Sequence, residues 1–261
     1  LKKGYMSKRD DFKKLHAANE PFILANVWDV KSAQIAEKAG YKAVGVSGHA
    51  VAETFGYADG EDMSFEELLY MAKRIASSLA LPVSVDIDGG YSRDVKEIQQ
   101  HVKQLTDIGV VGINIEDSVV TNGNRKLADV AAFADTIRSL RQYIDQQTHG
   151  VFLNIRIDTY VVKHPQAFEE TLSRVKLYEA AGADGVFVPA VTKEKEIAAL
   201  VDRTSLPFNA FLLKDTPDFN TLKELGVKRI SCGAALHAKS YKEAEKLYKE
   251  LLDEKRFDGL F

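Results

Sequence analysis

Short runs rich in Val, Ile and Phe alternate with longer stretches of helical spacing from one end of the sequence to the other. The apolar runs are residues 22–28, 43–47, 82–88, 112–116, 151–158, 185–189, 207–212 and 228–232. Helical patterns lie near 31–39, 64–79, 94–108, 127–147, 165–181, 193–203 and 217–225, and an eighth over 235–254 ends the series. Parallel strands need crossover helices between them, so eight such units in 261 residues predict a (β/α)8 TIM barrel of the α/β class. Four junctions, EKAGYKAVGV, TDIGVVGINI, EAAGADGVFV and KELGVKRISC, place a glycine where a helix must stop before the next strand. A doubly wound open sheet is the rival architecture. It usually carries fewer strands, and no G-x-G-x-x-G follows the first apolar run. No linker or low-complexity tract interrupts the pattern, so residues 1–261 are expected to form one domain. Residues 1–19 would be an N-terminal extension or helix, and 235–261 a C-terminal helical segment.

Several functional classes are excluded early. Net charge is −3 and no basic stripe with interleaved aromatics is present, which argues against nucleic acid as a partner. No apolar run reaches the ~18–20 residues of a membrane span, and the opening LKKGYMSKRDDF lacks an apolar signal core. The single cysteine, Cys232, excludes an intrachain disulfide framework and a Cys-rich zinc site. It is expected to be a packing residue, and the chain to be cytoplasmic.

In a barrel, chemistry collects where strands end and βα loops begin. Those ends carry Trp28-Asp29, Ser47-Gly48-His49, Asp86 and Asp88, Glu116-Asp117, Arg156 and Asp158, Pro189, Asn209 and Ser231. Side chains two apart on a strand share a face, so Asp86 and Asp88 point together, as do Asn154, Arg156 and Asp158. Burying a carboxylate without a partner is costly. Three acids on neighbouring strands, Asp86, Asp88 and Glu116, therefore predict a cation among them, and hard oxygen donors favour Mg2+ or Mn2+. The alternative has Asp88 capping the loop GGYS and Glu116 paired with Arg156. Arg156 is either a bidentate clamp for a substrate carboxylate or phosphate, or a structural partner of Glu116 or Asp158. Backbone N–H groups in Ser47-Gly48-His49 suit an anion, although His49 alone could equally be a surface residue. The charge run KSYKEAEKLYKELLDEKR looks like the wet face of the last helix, and its Leu and Tyr spacing suits a subunit contact.

At these residues the chain resembles the isocitrate lyase/phosphoenolpyruvate mutase superfamily, in its phosphoenolpyruvate mutase-like branch. NVWDVKSAQIAEKAGYKAVGVSG is similar to the superfamily's opening pattern, and FGYADGE to a loop carrying an Asp-Gly, here Asp59-Gly60. VDIDGGYS resembles its Asp-x-Asp-x-Gly-Tyr-Gly, INIED its Ile-Glu-Asp and NIRIDTY its Asn-x-Arg-x-Asp, while AGADGVFVPA and LGVKRISCG are similar to later strands. The resemblance implies Mg2+ near Asp86, Asp88 and Glu116, with Asp59 in reach through water. It also implies a keto acid or its enolate facing Ser47, Gly48, His49 and Arg156. Trp28 and Asn209, at their strand ends, join these as candidate substrate contacts, and Asp59, Asp88, Glu116 and Arg156 are the candidate catalytic residues.

Within that resemblance the last helix is exchanged between subunits of a homodimer or homotetramer. Relatives that cleave isocitrate or methylisocitrate carry a Lys-Arg/Lys-Cys-Gly-His loop after the Ile-Glu-Asp strand. This chain instead has SVVTNGNRKLAD, where Asn122, Asn124 and Lys126 are the candidate counterparts of a mutase gate, and Pro189 stands where the mutases place a histidine. The expected activity is that of a Mg2+-dependent lyase acting on a small 2-oxo or 2-hydroxy acid through an enolate. A phosphonomutase, a phosphonopyruvate hydrolase and a non-catalytic keto-acid-binding protein are the alternatives.

Overall fold

All eight apolar runs form strands in the computed structural model, which describes residues 2–147 and 150–260. The strands are β1 (Phe22–Ile23), β2 (Ala25–Val27), β3 (Val44–Val46), β4 (Val83–Asp86), β5 (Gly112–Glu116), β6 (Ser118–Thr121), β7 (Asn124–Leu127), β8 (Phe152–Arg156), β9 (Gly185–Phe187), β10 (Phe208–Phe211) and β11 (Arg229–Ser231). Nine of them make one parallel sheet in the order β1-β11-β10-β9-β8-β5-β4-β3-β2. Its two ends are successive pieces of one run. Phe22 and Ile23 pair with Arg229 and Ile230, and after Leu24 the chain changes partner, pairing Ala25–Val27 with Val44–Val46. The Leu24 N–H still reaches the Ile230 carbonyl at 2.8 Å. The sheet is thus wrapped round into an eight-membered, barrel-like arrangement, as the strand count requires.

The helices are α1 (Lys2–Ala17), α2 (Val30–Lys38), α3 (Gly48–Phe55), α4 (Phe65–Ser78), α5 (Val95–Asp107), α6 (Val130–Gln146), α7 (Ala167–Ala180), α8 (Glu194–Asp202), α9 (Phe219–Glu224) and α10 (Ala235–Asp253). Local chemistry fixes several starts. Asp29 and Ser32 form a capping box at α2, and Ser64 and Glu67 another at α4. Two elements were not anticipated. Ser47-Gly48-His49 does not remain a loop, because Ser47 caps α3 by accepting from the Ala50 N–H. SVVTNGNRKL folds into the antiparallel hairpin β6–β7, so the helix expected from residue 127 starts at Val130. Asn122 and Gly123 both have positive φ, 51° and 73°, as a tight primed turn demands.

The barrel interior is stratified. At its floor α1 supplies Phe12 and His16, packed with Phe22, Leu24, Ala43, Val111 and Phe152. The His16 ring stacks on Phe152 at 4.0 Å. Burial pushes the His16 imidazole down to about 3, with the nearby Arg229 charge adding to the shift. Above the floor lies an amide layer, in which Asn154 donates to Asn114 at 2.9 Å and Asn209 donates to Ser231 Oγ at 3.0 Å. Arg229 is buried in this layer and donates from Nη2 to Asn114 Oδ1 at 3.3 Å. Asn209, expected to touch substrate, is spent here on Ala210, Arg229 and Ser231. No helix among the described residues is long and apolar enough to cross a membrane.

Candidate active site

Over the amide layer, at the strand ends, opens a cavity of about 200 Å3. Ser47, His49, Asp59, Asp86 and Arg156 line it, joined by Asn26, Asn114 and Ser231 from the strands. Phe187, Pro189, Phe211 and Leu213 make an apolar wall. Five sequence-predicted residues therefore share one cavity. Its volume is below the range of drug-sized sites and suits an acid of a few carbons.

Asp86 ends β4 with its Oδ1 buried and without a hydrogen-bond partner. The nearest cation is Arg156, whose Nη1 is 3.9 Å from Asp86 Oδ2. Burial raises the Asp86 carboxyl above the usual range, against the pull of Arg156. Gly48 lets α3 start close beside this strand end: a Cβ there would stand 3.2 Å from the Asp86 carbonyl oxygen and 3.7 Å from Asp88 Oδ1. Asp88 itself is buried; burial, and after it the Asp88 charge, raise the Tyr91 hydroxyl above its ordinary range. Burial, then Glu116, Asp86 and Asp59, push the Asp88 carboxyl well up. Asp88 does not cap the GGYS loop. Glu61 holds that loop, accepting from the Tyr91 N–H at 2.7 Å.

Arg156 joins the acids of two strands. Its Nε and Nη2 donate to the two oxygens of Asp158 at 2.7 and 3.2 Å, and its Nη1 lies 2.8 Å from Glu116 Oε2. Both structural pairings that the spacing allowed are thus made. The contact with Glu116 is an ion pair without a hydrogen bond, so of the five N–H donors of the guanidinium the two on Nη1 remain for a ligand. Glu116 is fully enclosed, and burial pushes its carboxyl up to about 8 against the opposing pull of Arg156 and Arg125. Asp117 faces away and is structural: it accepts from Arg174, Tyr178 and the Asp158 N–H.

Arg125 is the residue that the strand-end reading missed. It comes from β7, where burial alternates residue by residue, with Asn124 and Lys126 outward and Arg125 and Leu127 turned in. Asn122, Asn124 and Lys126, the sequence candidates for a gate, are all exposed, and Arg125 between them enters the site. Arg125 Nη1 donates to Glu116, to Ser118 Oγ at 2.8 Å and to Asp158 at 3.0 Å, while Nη2 donates to Asp59 at 3.0 Å. Two guanidiniums therefore occupy Glu116 and Asp158. In consequence the expected trio of Asp86, Asp88 and Glu116 is not drawn into a ready ligand cluster: among the described residues no three His, Cys, Asp or Glu side chains are close enough to hold a metal ion.

Trp28 lies outside the cavity. It lines a separate groove with Ile35, Tyr41 and Leu236, and its ring meets His237 edge-on at 5.1 Å. His49 sits 3.3 Å from Glu53 and 3.6 Å from Asp59. Cys232 is half-buried, with its thiol raised by burial, and its N–H is held by Asn26 Oδ1 at 2.8 Å. This environment suits packing rather than nucleophilic attack.

A family model described as phosphoenolpyruvate phosphomutase matches residues 12–252. An uncharacterized protein of Mycobacterium tuberculosis is 36% identical over 223 residues, covering 85% of this chain and 81% of its own. An oxaloacetate decarboxylase of Pseudomonas fluorescens is 26% identical over 86% of this chain and 78% of its own. Among solved structures, a Burkholderia cenocepacia protein provisionally named a phosphonomutase superposes with a TM-score of 0.87 at 34% identity, covering 93% of this chain and 99% of its own.

Proposed function

The chain belongs to the phosphoenolpyruvate phosphomutase family, and from that premise we propose that it is a divalent-metal-dependent lyase. It would cleave a carbon–carbon bond next to the carbonyl of a small 2-oxo or 2-hydroxy acid, with an oxaloacetate-like acid as the first candidate. The observation that carries this reading is the unpartnered, buried Asp86 oxygen beside a cavity that also holds Arg156. The similarity to an oxaloacetate decarboxylase supports the same class of substrate.

The donors fit a hard cation. Mg2+ keeps several waters and needs only one or two direct carboxylates, so a free Asp86 oxygen with Asp59 and Asp88 nearby meets its demand without a preformed cluster. Asp86 would be the principal ligand of Mg2+ or Mn2+, with Asp59, Asp88 and Glu116 grouped round it. When bound, the cation supplies the positive charge that an enolate oxygen needs as it develops. Arg156, positioned by Asp158, offers its two remaining N–H groups to the substrate carboxylate. Ser47 and His49 form the facing wall, and Phe187, Phe211 and Leu213 keep water from the reacting carbon. The hairpin brings a guanidinium, which does not release its proton near neutrality, so it contributes charge and no acid.

A second reading, a phosphonomutase or phosphonopyruvate hydrolase, draws on the Burkholderia structure. A screen of oxaloacetate, citramalate, methylisocitrate and phosphonopyruvate with added Mg2+ separates the two. Release of pyruvate or oxalate supports the lyase, and a phosphorus NMR change with phosphonopyruvate supports the second reading. Binding of keto acids without product over hours would leave a sensor. The assembly belongs to the same proposal: α10 buries only His237 and leaves Tyr241, Tyr248 and Leu252 exposed, which suits a second copy of the chain. A free, half-buried cysteine is in keeping with a cytoplasmic setting.

A further inference from the structure

The acid cluster at the barrel mouth has more carboxyl groups than arginines in contact with them. Asp59, Asp86, Asp88, Glu116 and Asp158 are faced by Arg125 and Arg156. The two arginines differ in how they are held. Arg156 belongs to a barrel strand paired on both sides. Arg125 belongs to a hairpin whose strands pair only with each other. A lone two-stranded hairpin is marginal in water, so its position depends on what its side chains grip. Arg125 supplies that grip through Glu116, Asp158 and Asp59, helped by Val120 packing on Gly60, where a Cβ would come within 2.5 Å of Val120 Cγ2.

We propose that Arg125 sets the affinity of this site for a divalent cation: its guanidinium supplies positive charge to the acids while the cation is away and withdraws when the cation binds. The inference rests on the reading of Asp86 and its neighbours as a cation site. Glu116 and Asp59 cannot serve the Arg125 guanidinium fully and also turn toward a second cation, and the two like charges repel at this range. Binding of the cation therefore competes with docking of the hairpin. Loss of the Arg125 contacts leaves the base of the hairpin tied by Ser118, which donates to Glu116 and Asp158 at 2.9 and 2.7 Å, and its far part resting on Val120, so occupancy of the acid cluster and mobility of the hairpin tip around Val119–Lys126 change together.

The test uses the full chain stripped with chelator and needs no turnover. Mn2+ and Mg2+ are titrated by calorimetry into the wild type, Arg125→Ala and Arg125→Lys, and hydrogen–deuterium exchange of residues 118–127 is followed with and without Mn2+. The expected result is Mn2+ binding at least tenfold tighter in Arg125→Ala, with Arg125→Lys closer to wild type. Amide exchange of residues 118–127 in the wild type should rise when Mn2+ is added. Arg125→Gln, neutral and of similar length, replaces the alanine variant if that one unfolds. Equal or weaker Mn2+ binding by the neutral variants, with clear binding by the wild type, overturns the inference and spares the cation site. An absence of binding in every protein overturns both.

Discussion

Arg156 and Asp158, two residues apart where β8 runs into its loop, are joined by a two-point contact of 2.7 and 3.2 Å. The contact fixes the plane of the guanidinium, and that plane aims the unused N–H groups. Lysine keeps the charge but has no planar fork. Arg156→Lys should therefore lower kcat/KM on the active substrate by about 100-fold. Asp158 retains Ser118 and Arg125, so the loss of stability should stay near 1–3 kcal/mol. Steady-state kinetics paired with urea unfolding test this, and undiminished kcat/KM would remove Arg156 from substrate binding.

Asp86 offers a contrast between stability and function. An ionised carboxylate oxygen buried without a partner destabilises the fold. Asp86→Asn should leave thermal stability unchanged or raise it by a few degrees, while Mn2+ binding and turnover disappear. A variant that loses stability and keeps activity would place Asp86 among the structural residues.

His16 predicts the acid limb of the stability curve. The unfolded chain takes up a proton near the ordinary imidazole value of 6.5, whereas the folded imidazole resists until about 3. The unfolded state thus binds more protons in that interval, and stability falls as pH drops from 6.5 toward 3. Between pH 7 and pH 4.5 the loss from this one group should be about 2–3 kcal/mol. Urea midpoints across that range, with His16→Leu as comparison, should show a flatter limb in the variant.

The exposed stripe of α10 should bring copies of the chain together. Tyr248 and Leu252 are 74% and 70% exposed, far more than such side chains usually are in a finished assembly. Light scattering should give a dimer or tetramer for the wild type, and Leu252→Glu with Tyr248→Glu should shift it to monomer. A wild-type monomer at high concentration would dispose of this association.

The strands were legible because barrel strands are buried on both faces and read as unbroken apolar runs. The cavity was legible where alternation along a strand aims a side chain inward, as at Asp86 and Arg156. Trp28 fails that test: Asn26 points into the barrel and lines the cavity, while Trp28 follows the strand end and turns under α10. Asn209 points inward but one layer too deep. Asn122-Gly123 between VVT and NRKL was a readable hairpin signal that the helical pattern over 127–147 partly hid. Which face of that hairpin meets the barrel was not readable, because it depends on Val120 settling on Gly60, a contact between segments about 60 residues apart.

Because the run at residues 22–27 is hydrogen-bonded on one flank to Arg229–Ile230, the seam of the barrel joins segments some 200 positions apart in the chain. A ribosome delivers the first of these long before the second. Until β11 emerges, Phe22 and Ile23 have no ladder partner and the α1 plug has no completed ring to fill. Assembly of this protein is therefore a late, whole-length event, and a nascent chain halted before residue 229 should remain a client of chaperones.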